Sequence, residues 1–351
     1  MTYDKSPKLP PPPWWMEEDW ARDHKIKRFT LRPYNLKETL RWVVSHIVGP
    51  SKKYKSLTEF IPREMTLNKI TPEYHIGFVG DIMKMFGHDL LFDDSLFDFF
   101  NDDVQLIVGN LEGILTLQPG TVLSQRHDRE IMEQLSILKH PKKWLLCLSN
   151  NHSGDFGFAD FIFHLDQLRT MNFNVFGRKD VPNFVYKDTL NFVSGTMWSN
   201  QDGAQYMTRF EDVDEYFIDD GNIFNILYPH WHYEYELYPR ESIVKECQED
   251  IKGWDLIFGH HPHVVQPITK VEHNGINKVL AYSGGNFCSG LFKNPHEYGL
   301  IMKCEIGYLK DDDDQLAVGD LEWQFVRCQK NNDYEAKMIK IVKKNKYFPN
   351  V

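Results

Sequence analysis

Five cysteines in 351 residues are a sparse supply, and no two of them form a C-x-x-C pair. Their count is odd, and Cys147, Cys247, Cys288, Cys304 and Cys328 are widely spaced. That argues against a disulfide framework or a thiolate zinc site and fits a reducing, cytoplasmic setting. A basic excess is also missing. Lys and Arg total 40 against 50 Asp and Glu, a net charge of −10. Broad nucleic-acid binding is therefore not expected, although an anionic substrate stays open wherever bound cations invert the local potential. Long apolar runs are absent too. "LRWVVSHIV" at 40–48 is too short to span a bilayer and is made amphipathic by Lys37, Glu38 and Arg41. The opening "MTYDKSPKLPPPPWWMEEDW" has no apolar core, so neither a signal peptide nor a membrane anchor is expected.

What is present reads as globular: 42% hydrophobic and 26% charged residues. Residues 1–73 are expected to form an arm and a helix packed on or flanking the core. Pro10–Pro13 favour an extended polyproline conformation, with Trp14, Trp15 and Trp20 docking on the body. The segment 35–49 reads as a helix stopped by Gly49-Pro50. From residue 74 to 343, a main domain is expected. Short Val/Ile/Leu/Phe runs ("YHIGFVGD", "VQLIVGNLE", "WLLCLSNNH", "NIFNILYPHWH", "DLIFGHH", "KVLAYSGGNF") alternate with helical segments such as 157–172 and 243–254. This rhythm predicts an α/β fold with strands buried on both faces. Two strands flanking "KDDDDQ" near 300–330 are expected as a hairpin in a second sheet or at an edge, and "GDLE" at 319–322 as a turn. Residues 344–351 read as a tail.

Polar residues gather where those apolar runs end. Asp81 follows Gly80, Asn110 and Glu112 follow Gly109, and Asn151 and His152 follow Asn150. His230 and His232 follow Pro229; His260, His261 and His263 follow Gly259. Open α/β sheets hold their ligands at the carboxyl ends of strands, so five distant segments can converge on one crevice. Asp, Glu, Asn and His without Cys suit Mn, Fe or Zn. Two carboxylates and several imidazoles exceed what one tetrahedral ion needs. A pair of divalent ions about 3.5–4 Å apart, bridged by one carboxylate, accounts for the surplus.

The series "GFVGDIM", "IVGNLEG", "LSNNHSGDFG", "YPHWHYEY", "FGHHPHVVQPI" and "YSGGNF" resembles, in order, the poly-γ-glutamate capsule synthesis (CapA) family of calcineurin-like metallophosphoesterases, over about residues 74–290. The resemblance implies a four-layer α/β/β/α sandwich, metallo-dependent phosphatase-like, acting as a dimetal hydrolase on a phosphoester or a polyglutamate-type polymer. It implies metal ligands at Asp81, Glu112 (bridging), Asn151, His230, His261 and His263, with His152 as general acid oriented by Asp155. Asn110 is implied as a further ligand or a substrate contact. Three departures from the family pattern stand out. Met83 stands where many relatives carry a ligand histidine. His232 replaces a glycine and is expected to line the pocket. His260 replaces a small residue and is expected to contact phosphate. The expected partner is a small or polymeric anionic substrate. A second reading is a scaffold for polymer synthesis or export built around a structural metal centre.

Overall fold

Alternation along three neighbouring strands sorts the core into layers. The computed structural model describes residues 34–121, 123–200, 206–291, 294–331 and 336–351. The proline and tryptophan arm at 1–33 lies outside the described residues. In Ile70–Ile82, Leu106–Leu111 and Trp144–Cys147, one face carries Ile76, Phe78, Leu106, Val108, Leu145 and Cys147, and the other carries Val79, Ile107, Trp144 and Leu146. All are buried, as the near-continuous apolar runs require of strands covered on both sides.

The first face packs on a second sheet. Its contributions are Leu190 and Phe192, Phe224 and Ile226, Leu256 and Phe258, and Val279 and Ala281. Phe78 stacks on Phe258 at a centroid distance of 5.4 Å, and the Tyr228 hydroxyl donates to the Val79 carbonyl across the layers. Helices Asp94–Phe99, Arg129–Leu138 and Gly157–Thr170 cover the outer face of the larger sheet. Helix Glu241–Gly253 covers the smaller one through Ile243, Val244, Cys247 and Ile251, which recur at helical spacing. The layer order is therefore α/β/β/α, as expected. No helix among the described residues is long and apolar enough to cross a membrane.

The larger sheet has 10 strands and the smaller has 6. At the centre of the larger one, Ile70–Ile82, Leu106–Leu111, Trp144–Cys147 and Asn174–Phe176 run parallel. In the smaller one, Leu190–Val193, Phe224–Leu227, Leu256–Phe258 and Ile276–Ala281 run parallel. The carboxyl ends of both sets meet at one end of the sandwich.

The carboxy-terminal strands correct one expectation. Tyr298–Leu309 and Asp312–Lys330 do form an antiparallel hairpin, but neither belongs to the second sheet. Tyr298–Leu309 is interior, paired on its other side with Ile70–Ile82. It is buried on both faces: Met302, Cys304 and Ile306 point into the layer between the sheets and Ile301 toward the helices. "GDLE" is not a turn but part of strand Asp312–Lys330, where Leu321 is buried and pairs with Met65. The sheet thus takes in Glu64–Thr66 and begins its central strand at Ile70, ahead of residue 74. The chain reverses at Lys310–Asp311, and Asp311, Asp312 and Asp314 are exposed.

Two buried imidazoles fasten the loop that follows Glu112. His127 Nε2–H donates to the Glu112 carbonyl at 2.8 Å, and the Leu115 N–H donates to His164 Nδ1 at 3.1 Å. Burial pushes His127 down to about 4 and His164 down to about 3 from an ordinary 6.5. A base depressed in the fold is protonated first in the unfolded chain. Its contribution is therefore full above pH 6.5 and is lost as pH falls from 6.5 toward these values. For His164 this is on the order of 3 kcal/mol by pH 4. Urea midpoints of metal-free protein should fall between pH 7 and 5.5, and fall less in His164→Gln. Equal slopes for the two proteins would contradict this account.

Candidate metal centre

Asp81 ends its strand at a crossing too tight for any side chain at Gly80. A Cβ there would lie 1.9 Å from the Gly285 carbonyl oxygen, which accepts the Asp81 N–H at 2.8 Å. Gly80→Ala should therefore move Asp81 and destabilise the fold by about 1–3 kcal/mol, measurable by urea unfolding; an unchanged midpoint would show that the crossing relaxes freely. The Asp81 carboxylate is fully enclosed. Oδ1 accepts from Asn110 Nδ2 at 2.8 Å, and Oδ2 accepts from the His261 N–H at 3.2 Å and lies 3.2 Å from His263 Nδ1.

Glu112 follows from the neighbouring strand. Its Oε2 lies 3.4 Å from Asn110 Nδ2, but its buried Oε1 has no hydrogen-bond partner. That oxygen is 3.5 Å from His263 Nε2 and 3.9 Å from His152 Nε2. Buried His261 Nδ1 is likewise unpartnered. An orphaned buried polar atom costs about 1–3 kcal/mol, so two of them aimed into one cluster mark where a cation fits.

The opposite sheet supplies a row of rings. His260 Nε2 faces the Tyr228 carbonyl at 3.2 Å, His260 Nδ1 faces His230 Nδ1 at 2.9 Å, and His230 Nε2 faces Asn151 Oδ1 at 2.8 Å. Acceptors stand at both ends of this row. Three links need three protons, whereas two neutral imidazoles carry two. A cation received by Asn151 Oδ1 and His230 Nε2 resolves the shortage. Donor atoms of Asp81, Glu112 and His263 lie within 4.8 Å of one another, as do those of Glu112, His230 and His261. Glu112 belongs to both groups.

The electrostatics favour ligation. Burial would raise Asp81, but the adjoining His260 and His263 outweigh it and hold the carboxyl well below its ordinary value. Burial raises Glu112 well above its own; His263 opposes this and Asp81, Glu234 and Asp155 add to it. Burial and neighbouring imidazoles keep His230 and His261 well below 6.5, in the neutral form whose lone pair a metal takes. His263 is the exception. Glu112 and Asp81 overcome its burial and raise it to about 10, so an imidazolium supplies the positive charge between the two carboxylates.

The loop "GHHPH" holds two of these rings in the left-handed region, with φ of 99° at His261 and 55° at His263. Such geometry costs on the order of 1–3 kcal/mol for each residue and persists where the surroundings impose it. At the margin, His152 Nδ1 lies 2.8 Å from Asp155 Oδ2, which also accepts the Gln125 N–H at 2.7 Å. Asp155 thereby fixes the ring and leaves Nε2 as the working nitrogen.

Three expected substrate contacts are placed elsewhere. Asn110 is buried, with its Nδ2 turned to the two carboxylates and its Oδ1 to Asn150 Nδ2; it braces the ligands. His232 has a φ of 66°, stacks on Trp231 at 4.0 Å and points Nε2 toward Cys247 Sγ on the outer helix. His260 is enclosed behind His230, 3.4 Å from Asp81 Oδ1. Met83 is buried at the cleft, where it offers no nitrogen.

Other residues enter without having been singled out. Glu234 lies within ligand range of His261 and His263 and accepts from the Trp42 indole at 2.5 Å. It stands inside the quoted "YPHWHYEY", so its signal was present. Asn286, in "YSGGNF", presents Oδ1 to His263 Nδ1 at 3.1 Å. Tyr34 has no local signal, yet its hydroxyl lies 3.0 Å from His261 Nε2 and accepts the Glu234 N–H at 3.1 Å.

A family model described as bacterial capsule synthesis protein matches residues 211–291, the stretch that carries His230, His260, His261, His263 and Asn286. The PGA biosynthesis protein CapA of Bacillus subtilis (strain 168) is 26% identical over 243 residues. Over that stretch the chain is similar to CapA. The match to that CapA covers 60% of this chain and 62% of the relative, under two thirds of the relative's length. Two solved structures share 12% and 14% of residues with this chain. A hypothetical protein from Thermus thermophilus has a TM-score of 0.40, covering 70% of this chain and 97% of its own. The calcineurin-like phosphoesterase YfkN from Bacillus subtilis has a TM-score of 0.39, covering 72% and 91%. The layer order rests on the packing described above.

Proposed function

We propose that this chain, similar to CapA in sequence, is a metal-dependent hydrolase of phosphoesters. Asp81, Glu112 and His263 would hold one divalent ion, and Glu112, Asn151, His230 and His261 a second. Divalent ions at this set would neutralise charge on phosphoryl oxygens and lower the pKa of a water. The observation that carries the reading is the placement of His152. Its Nε2 stands 3.9 Å from the unpartnered Glu112 oxygen, beside the ligand cluster, while Asp155 secures Nδ1. From there Nε2–H delivers a proton to the leaving alkoxide as water adds to phosphorus and the P–O bond breaks. The products are an alcohol and a phosphate.

The test is to load the full chain with Mn, Fe or Zn, quantify bound metal, and assay chromogenic phosphomonoesters, phosphodiesters and γ-glutamyl amides. Metal-dependent turnover on a phosphoester is expected. Stoichiometric metal with no turnover on either ester class would leave a structural centre and remove the hydrolase reading. Turnover confined to the amides would redirect the chemistry to polyglutamate.

A further inference from the structure

A cleft of about 870 Å³ opens directly onto Asn151, His152 and His263. Much of its wall is apolar, supplied by Trp42, Met83, Phe86, Leu123, Phe156 and Leu291, with His46, Gln125, Asn200 and His296 between them. Phe86 and Leu123 sit at the mouth with 45% and 66% of their surfaces exposed, an arrangement that exposes apolar area unless something covers it. Charge is distributed in the opposite way from what a polyanion needs. Among the described lining residues none is Lys or Arg; the acidic ones are Asp155 and Glu234, and His263, facing the carboxylates of Asp81 and Glu112, lies at the floor. The nearby Lys84 is turned to the loop, where Nζ donates to the Thr121 and Ser124 carbonyls. Arg240 is engaged by Glu38 and Glu236 and lies over the Tyr233 ring at 3.7 Å. The Lys84 ammonium also lies 4.4 Å from the Phe86 ring centroid, so apart from these engaged cations positive charge gathers at the floor, where the ligand set would hold its ions.

We propose that the cleft takes an amphiphilic phosphoester, with one anionic head at the ligand cluster and an extended apolar body along Trp42, Phe156 and Leu291, rather than a nucleoside polyphosphate or an oligoglutamate. This rests on the phosphoesterase reading for the head group. The body follows from the walls alone: each methylene buried there strengthens binding by about fourfold, whereas a second anionic group meets carboxylates and desolvation.

The test uses alkylphosphonates, which keep the head and cannot be hydrolysed at a P–O–alkyl bond. Dissociation constants for methyl-, butyl- and octylphosphonate are measured by calorimetry on the Mn-loaded full chain, with ADP and tri-γ-glutamate as polyanionic probes. Octylphosphonate should bind at least tenfold more tightly than butylphosphonate, and both polyanions more weakly than octylphosphonate. The octyl-to-methyl ratio should shrink several-fold in Trp42→Ala. It should also shrink in Leu123→Ala, whose exposed position makes misfolding an unsuitable explanation. Affinity independent of chain length, or tighter binding of either polyanion, would overturn the proposal even if esters are hydrolysed. Chain-length dependence with no ester turnover would instead keep the cleft and remove the hydrolase.

Discussion

Glu112→Gln should abolish the stabilisation that divalent metal gives the wild-type protein. Each protein is compared with its own metal-free midpoint, because Gln removes both the charge that faces His263 and the cost of burying a carboxylate. With free metal at 100 times its dissociation constant, the wild type should gain about 2.7 kcal/mol. For a chain of this size that is roughly 4 °C in melting temperature. The variant should gain little, since one substitution removes a donor shared by two ligand groups. Turnover should fall on the order of 10³-fold, the equivalent of several kcal/mol of metal assistance. Elemental analysis of the purified variant provides the direct check. Full metal content and an unaltered metal-induced shift would remove Glu112 from the ligand set.

His152→Ala should separate proton delivery from ion binding. The ring lies beside the cluster and donates to none of the buried ligands, so metal content and the metal-induced melting shift should match wild type. Hydrolysis of alkyl esters, whose leaving oxygen needs a proton, should fall by about 10²–10⁴-fold. Hydrolysis of p-nitrophenyl esters, whose leaving group departs as an anion, should fall by less than about tenfold. Uniform losses across leaving groups would assign His152 to binding. Asp155→Asn should show the same leaving-group dependence more weakly. It is a positioning residue whose oxygen also anchors the Gln125 amide.

The layer order and the cluster were legible because both follow from local pattern. A strand buried on two faces must be an apolar run, and a ligand at its end must be a polar residue just beyond it. Glu112, Asn151, His230, His261 and His263 lie beyond the strands that lead to them, and Asp81 is the penultimate residue of its own. The errors arose where pairing or backbone direction decides. Strand Tyr298–Leu309, expected from its charged hairpin turn in a second sheet or at an edge, is paired on both sides inside the larger sheet. His232 and His260 stand next to ligands in sequence, and sequence proximity suggested the cleft. A φ of 66° turns His232 onto Trp231, and the link to His230 draws His260 inward. Tyr34 reaches His261 across 227 positions, a distance over which local pattern carries no information.

The donors come from two sheets whose facing layers are separated largely by side chains. Phe78, Phe258 and Tyr228, stacked between the layers next to the cluster, therefore act as a calliper: their thickness sets how far Asp81 and Glu112 stand from His230 and His261. Trimming a ring in that stack would retune ion affinity without removing a single ligand. Selection could in this way adjust the bite of the centre from inside the hydrophobic layer, leaving the chemistry of its rim unchanged.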